Sequence, residues 1–508
     1  MQKNRMSRAK LNIAMTFLRQ LLATVCGIVI PRVMIGAFGS TVYGATTSIA
    51  QFLSYIALLE GGIGSVARGA LYGPLAEKND QKISNVLGAI KRFFRNIGIF
   101  FAVYTLVLAV FYYDLADIRS FGRGYTFGLV LAISLSTFAN YMVGLPNLTL
   151  LNADQKQYLS EITVALTNLL NTACIILLAT SGADVLTVKL VSSIVFIVRP
   201  VVYAYYVKKN YKILKPQEDR EALSQKWAGF GQHIAYFLHT NTDIVLLTLL
   251  ADLKVVAVYS VYRLVATSLW NIAGSFSGGM EAAFGEMIAR SEQTQLRRSY
   301  GYYKALLTLV SVTLFSAAIA LIVPFIRLYT AGVTDADYIH PLFGVLVLLS
   351  EGINCLVLPC SGLPIAANQL KRSRWGSYCE ALINISLSLI LIWWDPLLGV
   401  AIGTLVATVF KGVFYIRYSA VHILRCNVWK LLLRFAATVL MIVCVGAVGM
   451  LLLQKVVISN FVIWGLWGVV VFFASAIIAL AFCRVMYPSE FGEVLHALAR
   501  KLRLKKDR

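Results

Sequence analysis

The sequence predicts an all-α protein that crosses a membrane many times, about 14 helices in two six-helix lobes plus two extra C-terminal helices. Three observations carry that prediction. Of 508 residues, 58% are hydrophobic and only 14% charged, against about 25% charged in an ordinary soluble domain. The apolar residues fall into long runs, each near the roughly 20 residues a helix needs to cross a bilayer. The Lys and Arg residues collect in alternate loops between those runs.

The runs lie near 10–34, 42–67, 94–113, 125–147, 159–180, 186–207, 229–250, 256–279, 304–329, 340–363, 376–394, 397–419, 431–454 and 460–486. The third and seventh start among charged or polar residues. The first follows a basic stretch, MQKNRMSRAK, but it is long and lacks a small-residue cleavage site at the right place. It therefore reads as a spanning helix and not as a signal peptide. One set of alternate loops, with both termini, holds about 34 of the 46 Lys and Arg residues; the other holds 7, and five lie inside runs. The positive-inside rule places the first set, and both termini, in the cytoplasm. The net charge of +22 therefore speaks for membrane orientation and not for nucleic acid. No loop is long enough for an ordinary soluble domain, so function is expected within the helices.

The eight cysteines lie mostly in or beside apolar runs and form no close CxxC pair. They read as small buried residues, neither a disulfide framework nor a metal site. The tail SEFGEVLHALARKLRLKKDR places Phe491, Val494, Leu495, Leu498 and Leu502 near one helical face with bases on the rest. That pattern suits a surface helix on the anionic leaflet, or a partner-binding tail. Pro31, Pro200, Pro324 and Pro359 fall inside runs, where they kink helices.

The two halves resemble each other at a shift of about 215 residues. GPLAEKNDQKISNVLGAIK, from Gly73, aligns with GEMIARSEQTQLRRSYGYYK, from Gly285, with one insertion; Gly88 then meets Gly301 and Lys91 meets Lys304. NADQKQYLSEI, from Asn152, matches the turn AANQLKRSRWGSYCEAL, from Ala366, each followed by an acid at a helix start, Glu161 and Glu380. Six runs per half keep the same orientation, so the repeat is parallel and suits alternating access. The expected domains are 1–210 and 211–425 as the two lobes, 426–487 as extra helices and 488–508 as a basic amphipathic tail.

Residues 58–69, LLEGGIGSVARG, place an acid and a base around three glycines near the end of the second run. Glu60 and Arg68 are eight residues apart, close to one face but roughly 12 Å apart along a straight helix. They are too distant to pair directly within one straight helix, so each has another partner or the glycines bend the segment. The stretch reads as a tightly packed gate or hinge, with Glu60 in an ion pair elsewhere and Arg68 either there or on substrate.

Between the first two runs stands FGSTVYG, residues 38–44. It resembles the glycine-tyrosine-glycine turn at the same place in the Wzx-type polysaccharide and oligosaccharide flippases of the MATE-like (MOP) superfamily. The acid-glycine pair Glu60-Gly61, the base Arg68, the amphipathic segment 73–95, the 12 + 2 run count and the tail agree with that likeness, which covers essentially the whole chain. The family usually has Asp where this chain has Glu60. The resemblance implies a V-shaped, two-lobed bundle in a bacterial cytoplasmic (inner) membrane. It also implies transfer of an undecaprenyl-diphosphate-linked oligosaccharide from the cytoplasmic to the periplasmic leaflet through a cationic cavity. Partners would be that lipid-linked glycan, membrane lipids, a polysaccharide polymerase and glycosyltransferases, with no nucleic acid.

Ionisable residues inside spans are functional candidates by default. The bases are Arg19, Arg68, Arg199, Arg263 and Lys411; the acids are Glu60, Asp243 and Glu351; His233 starts the seventh run. Arg binds phosphate bidentately and stays protonated. Arg19 and Arg263, one per half on helices that line the cavity in the superfamily, are the leading phosphate ligands, followed by Lys411 and Arg199. Each could instead pair with an acid on a neighbouring helix, and Arg199 could snorkel to the interface. Asp243 and Glu351 are expected to hold a coupling H⁺ or Na⁺, or to pair with Arg. No cofactor, resident metal or enzymatic activity is expected. Two rivals remain: a multidrug or organic-ion antiporter of the same fold, and a membrane-embedded glycan-processing enzyme. The first run offers Arg19 and no acid, which favours an anionic substrate. The loops are short and no HExxH, Walker A or nucleophile-elbow motif occurs, which counts against an enzyme.

Overall fold

In the computed structural model, residues 2–61, 63–118, 121–217, 230–275, 277–490 and 492 are described. The tail beyond 492 lies outside them, so the expected amphipathic helix there is not part of the fold described below. Among the described residues the chain is helical and without strands. The first half contains α1 (Gln2–Phe38), α2 (Ser40–Ser54), a 3₁₀ segment (Tyr55–Glu60), α3 (Ile63–Glu77) and α4 (Asp80–Leu115). After these come α5 (Arg123–Ala139), a π-helical segment (Asn140–Gly144), α6 (Leu145–Ala153), α7 (Gln157–Thr180) and α8 (Val185–Asn210). The second half runs α9 (Phe230–Leu250), α10 (Leu253–Gly274), α11 (Ser277–Ala289), α12 (Gln293–Tyr329), α13 (Pro341–Ala366), α14 (Leu370–Leu391) and α15 (Pro396–Ser419). A π segment (Ala420–Leu424), α16 (Val428–Leu453) and α17 (Phe461–Met486) complete it.

All 14 expected spans coincide with helices. Among the described residues, twelve are long and apolar enough to cross a membrane, so this is a multi-pass membrane protein. The other two, α9 and α14, are long enough but too polar. The reason lies in what they carry: His239 and Asp243 on α9, Glu380, Asn384 and Ser388 on α14, all buried.

The elements start and stop for local reasons. The side chains of Asn79, Asp184, Asp395, Asn427 and Asn460 accept backbone N–H bonds at the starts of α4, α8, α15, α16 and α17, satisfying donors that a helix start leaves open. Thr187 donates its hydroxyl to Asp184, which holds that carboxyl below its ordinary range. The prolines at 31, 200, 324 and 359 sit inside α1, α8, α12 and α13, and these helices continue through them. Proline frees the carbonyl four residues earlier; the Cys360 carbonyl freed by Pro364 accepts the Ser419 hydroxyl at 2.8 Å.

The repeat is visible in the backbone. Tight turns with positive φ end at Lys78 and Gln155 in the first half, and at Ser291 and Asn368 in the second. Each second-half residue lies 213 positions after its mate. The break between α2 and α3 recurs between α10 and α11, and the long helices α4 and α12, of 36 and 37 residues, are counterparts. Contacts divide the described chain into two compact units, residues 1–237 with 244–257, and 238–243 with 258 onward. In the second, α16 and α17 pack on α12, with Gly446 and Gly449 against Ile319 and Ala320. Sequence inspection missed a GxxxG contact: Gly399 and Gly403 of α15 sit against the backbone of α14, with no room for a Cβ.

Candidate functional site

In the first unit α1 packs on α7, and Arg19 donates its Nε to Glu161 in a salt bridge. Gln157, one turn earlier on α7, donates to the other Glu161 oxygen at 2.9 Å. Arg199 on α8 does not snorkel away. Its Nε donates to the Thr167 hydroxyl at 2.7 Å and a terminal nitrogen to Asn168 Oδ1 at 2.6 Å, both on α7, while the guanidinium lies over the Phe196 ring. This cation has neutral hydrogen-bond partners.

The glycine motif bends the chain, one of the two outcomes expected of it, but does not pack tightly. Residues Tyr55–Glu60 tighten into a 3₁₀ turn, and buried Gly61 takes φ 52° before α3 begins. Gly61 is required for its left-handed backbone. No close approach occurs at Gly64, where a Cβ would meet open space. The stretch is a helix break, not a tightly packed latch. Glu60 accepts a hydrogen bond from Tyr141, where the π-helical segment widens the helix, and stands near His233. Arg68, half-buried on α3, has no hydrogen bond or ion pair among the described residues. His233 meets the Ala57 carbonyl at 3.0 Å.

The second unit gathers its charges into two adjoining networks. In one, Arg263 of α10 donates to the Tyr259 hydroxyl at 2.8 Å and to the Thr240 carbonyl at 2.5 Å. Tyr259 in turn donates to Asp243 Oδ2 at 2.7 Å. The Thr404 hydroxyl reaches the same oxygen at 3.0 Å and accepts from Asn384 Nδ2 at 2.8 Å. Asp243 is 2% exposed, and its Oδ1, Asn384 Oδ1 and Ser388 Oγ are buried without a hydrogen-bond partner. A buried carboxylate and oxygens left open in this way are the donor set that a small hard cation takes. In the other network, Lys411 of α15 lies 3.0 Å from Glu380 Oε1, and His239 Nε2 lies 3.1 Å from the same oxygen. Asn354 of α13 accepts from Lys411 at 3.4 Å and donates to Glu351 at 3.2 Å.

The predicted residues Arg263, Asp243, Lys411 and Glu351 thus belong to one region of the second unit, and Arg19, Arg199, Glu60 and Arg68 to the first. Sequence reasoning missed the partners Tyr259, Asn384, Thr404 and Tyr141. It also misplaced Glu380, which lies three turns into α14 and corresponds through the repeat to Thr167, not to Glu161. The signal was available in the 213-residue offset: Thr167 and Asn168 hold Arg199, and Glu380 holds Lys411, across the same pair of helices in each half.

No protein-family model matches the chain, and no curated protein matches it by sequence. Solved structures do. One described as the lipid II flippase MurJ in an inward closed conformation aligns over 94% of this chain and 99% of its own, with TM-score 0.70 and 14% identity. An inward-facing multidrug resistance MATE family transporter of the MOP superfamily aligns over 81% and 98%, with TM-score 0.62 and 14% identity. The eukaryotic MATE transporter AtDTX14 aligns over 85% and 99%, with TM-score 0.56 and 14% identity. The chain shares the fold of these solved structures. At such identities the likeness is one of architecture, and the expected MATE-like fold class stands.

Proposed function

We propose that this protein is a flippase that moves an undecaprenyl-diphosphate-linked oligosaccharide from the cytoplasmic to the periplasmic leaflet by alternating access along a cationic path. One observation carries the reading: membrane-embedded bases occur in both units, Arg19 and Arg199 in one, Arg263 and Lys411 in the other. Arg199 is held by the neutral oxygens of Thr167 and Asn168, so its charge is not met by an acid in a hydrogen bond, whereas Arg263 stands beside Asp243 and Glu351. A diphosphate crossing a low-dielectric slab needs such charge, and an organic cation would be repelled by it. The likeness in fold to a lipid II flippase supports a lipid-linked anionic cargo. Asp243, with Asn384, Thr404 and Ser388 beside it, is proposed to take the coupling Na⁺ or H⁺; Glu351, tied to Asn354, is the second candidate. The protein is read as a transporter and not an enzyme. Its partners are the lipid-linked glycan, membrane lipids, a polymerase and glycosyltransferases in a bacterial inner membrane.

The test is flipping of undecaprenyl-diphosphate-linked glycan in proteoliposomes. Arg19→Ala and Arg263→Ala are each expected to lower the rate at equal protein level, and the double variant to abolish it. Normal flipping in all three would refute the cationic path. Imposed Na⁺ and pH gradients identify the coupling ion: Asp243→Asn should remove whichever dependence the native protein has.

A further inference from the structure

The Glu380 network has a feature that the phosphate-binding role does not use. Glu380 is 3% exposed and His239 5%. One carboxylate oxygen, Oε1, lies 3.0 Å from Lys411 and 3.1 Å from His239 Nε2, close enough for an ion pair but without a hydrogen bond from either. His239 Nδ1 is buried with no hydrogen-bond partner. Around Glu380 the charged and titratable groups are His239 from α9, with Lys411 and Tyr415 from α15. Arg263 from α10 stands beside His239, and Glu351 on α13 reaches Lys411 through Asn354.

A phosphate oxygen and a carboxylate compete for the same ammonium. Lys is a compact charge on a flexible stem, so it can change partner by rotation. A carboxylate left behind without its ammonium, buried within the helices, is costly unless it is neutralised. The neutral His239 imidazole beside it can donate through Nε2 to a carboxylate or accept from a carboxylic acid. We propose that Glu380 is the internal substitute for the cargo's phosphate. It holds Lys411 when no cargo is bound, releases it to a phosphate oxygen on loading, and takes up one proton from water, shared with His239. Loading of an anionic lipid head is then tied to uptake of one proton at a residue distinct from Asp243. The inference rests on the flippase reading.

The experiment uses the purified full-length protein in detergent, Na⁺-free buffer and farnesyl diphosphate as the probe, with farnesol as the uncharged control. Binding and proton uptake are measured together by calorimetry in buffers of different ionisation enthalpy. The native protein is expected to take up about one proton more per diphosphate than Glu380→Gln, which still binds. Lys411→Gln should bind about tenfold more weakly, the loss of one charge-assisted hydrogen bond, and take up no excess proton. Equal uptake in native protein and Glu380→Gln, with binding intact, overturns the proton exchange and leaves the flippase reading standing. No diphosphate binding by the native protein overturns both. If Glu380→Gln does not fold, difference infrared spectroscopy of the native protein and Glu380→Asp decides. A protonated-carboxyl band should appear on loading and shift in the Asp variant; no such band overturns the proposal.

Discussion

At the scale of single residues, the decisive quantity is whether a charge inside the bilayer has a partner. Arg19 and Glu161 are partnered, with side chains 29% and 9% exposed. Contacting charges couple by about 0.5–3 kcal/mol, and the partial burial here places this pair in the upper part of that range. A double-mutant cycle of Arg19→Ala and Glu161→Ala on unfolding in detergent is expected to give a positive coupling of that order. Additive losses would mean that the bridge does not form in the native state. Arg68 is the opposite case. Having no partner among the described residues, it should be replaceable by Ala within about 0.5 kcal/mol of stability. A large loss of flipping in a stably folded Arg68→Ala would then assign it to cargo, while wild-type flipping would leave it a solvated mouth residue. Glu60 shows what residue types alone conceal. Its charge was conspicuous in the sequence, but the residue that meets it, Tyr141, lies on another helix and carries no sequence mark.

At the scale of elements, glycine does three different jobs that one letter does not distinguish. Gly61 supplies a left-handed backbone. Gly403 supplies space, because a Cβ there would stand 2.4 Å from Ser388 Oγ and 2.9 Å from the Ser388 backbone nitrogen. Gly465 of α17 supplies neither, since a Cβ would meet nothing within 4 Å. Gly403→Ala is therefore expected to destabilise by roughly 1–3 kcal/mol through overpacking of α14 on α15. Gly465→Ala is expected to stabilise by roughly 0.5–1 kcal/mol, because alanine loses less conformational freedom in a helix. Thermal midpoints of the two purified variants should move in opposite directions; movement in the same direction would sink the distinction. The helices themselves were legible because apolar runs of bilayer length leave few alternatives to α-structure. The two polar ones, α9 and α14, were found by length and failed on composition, since their polar residues face protein and answer one another. Long α4, with 36 residues and so about 54 Å, was read as two pieces, an amphipathic segment and a span. Its polar first turns form one continuous helix with the span, begun by the Asn79 cap.

At the scale of the whole molecule, the basic loops predict orientation, and one thiol reports on it. Cys426 lies between the π segment and α16, on the basic-loop side, and is exposed. A membrane-impermeant maleimide should label it in inside-out vesicles and not in spheroplasts, with Cys426→Ser as the blank. Labelling from the periplasmic side would reverse the topology. Although the residue is exposed, partial desolvation of its sulfur pushes the thiol above the ordinary range, against the lowering effect of Arg297. The thiolate is the reacting form, so labelling should be slow at neutral pH and keep rising as pH passes the usual thiol range.

By itself the sequence determined the membrane class, the helix positions, the parallel repeat and the short list of embedded charges. These follow from hydropathy, charge placement and self-similarity, which are properties of neighbouring residues along the chain. Only the tertiary structure decided which charge meets which: Arg19 with Glu161, Lys411 with Glu380 and His239, Arg263 with Asp243 through Tyr259. It also decided that LLEGGIGSVARG is a backbone break and that Gly399 and Gly403 are contact surfaces. Partners across helices are chosen by packing at separations of tens to hundreds of residues, and no local pattern records that choice.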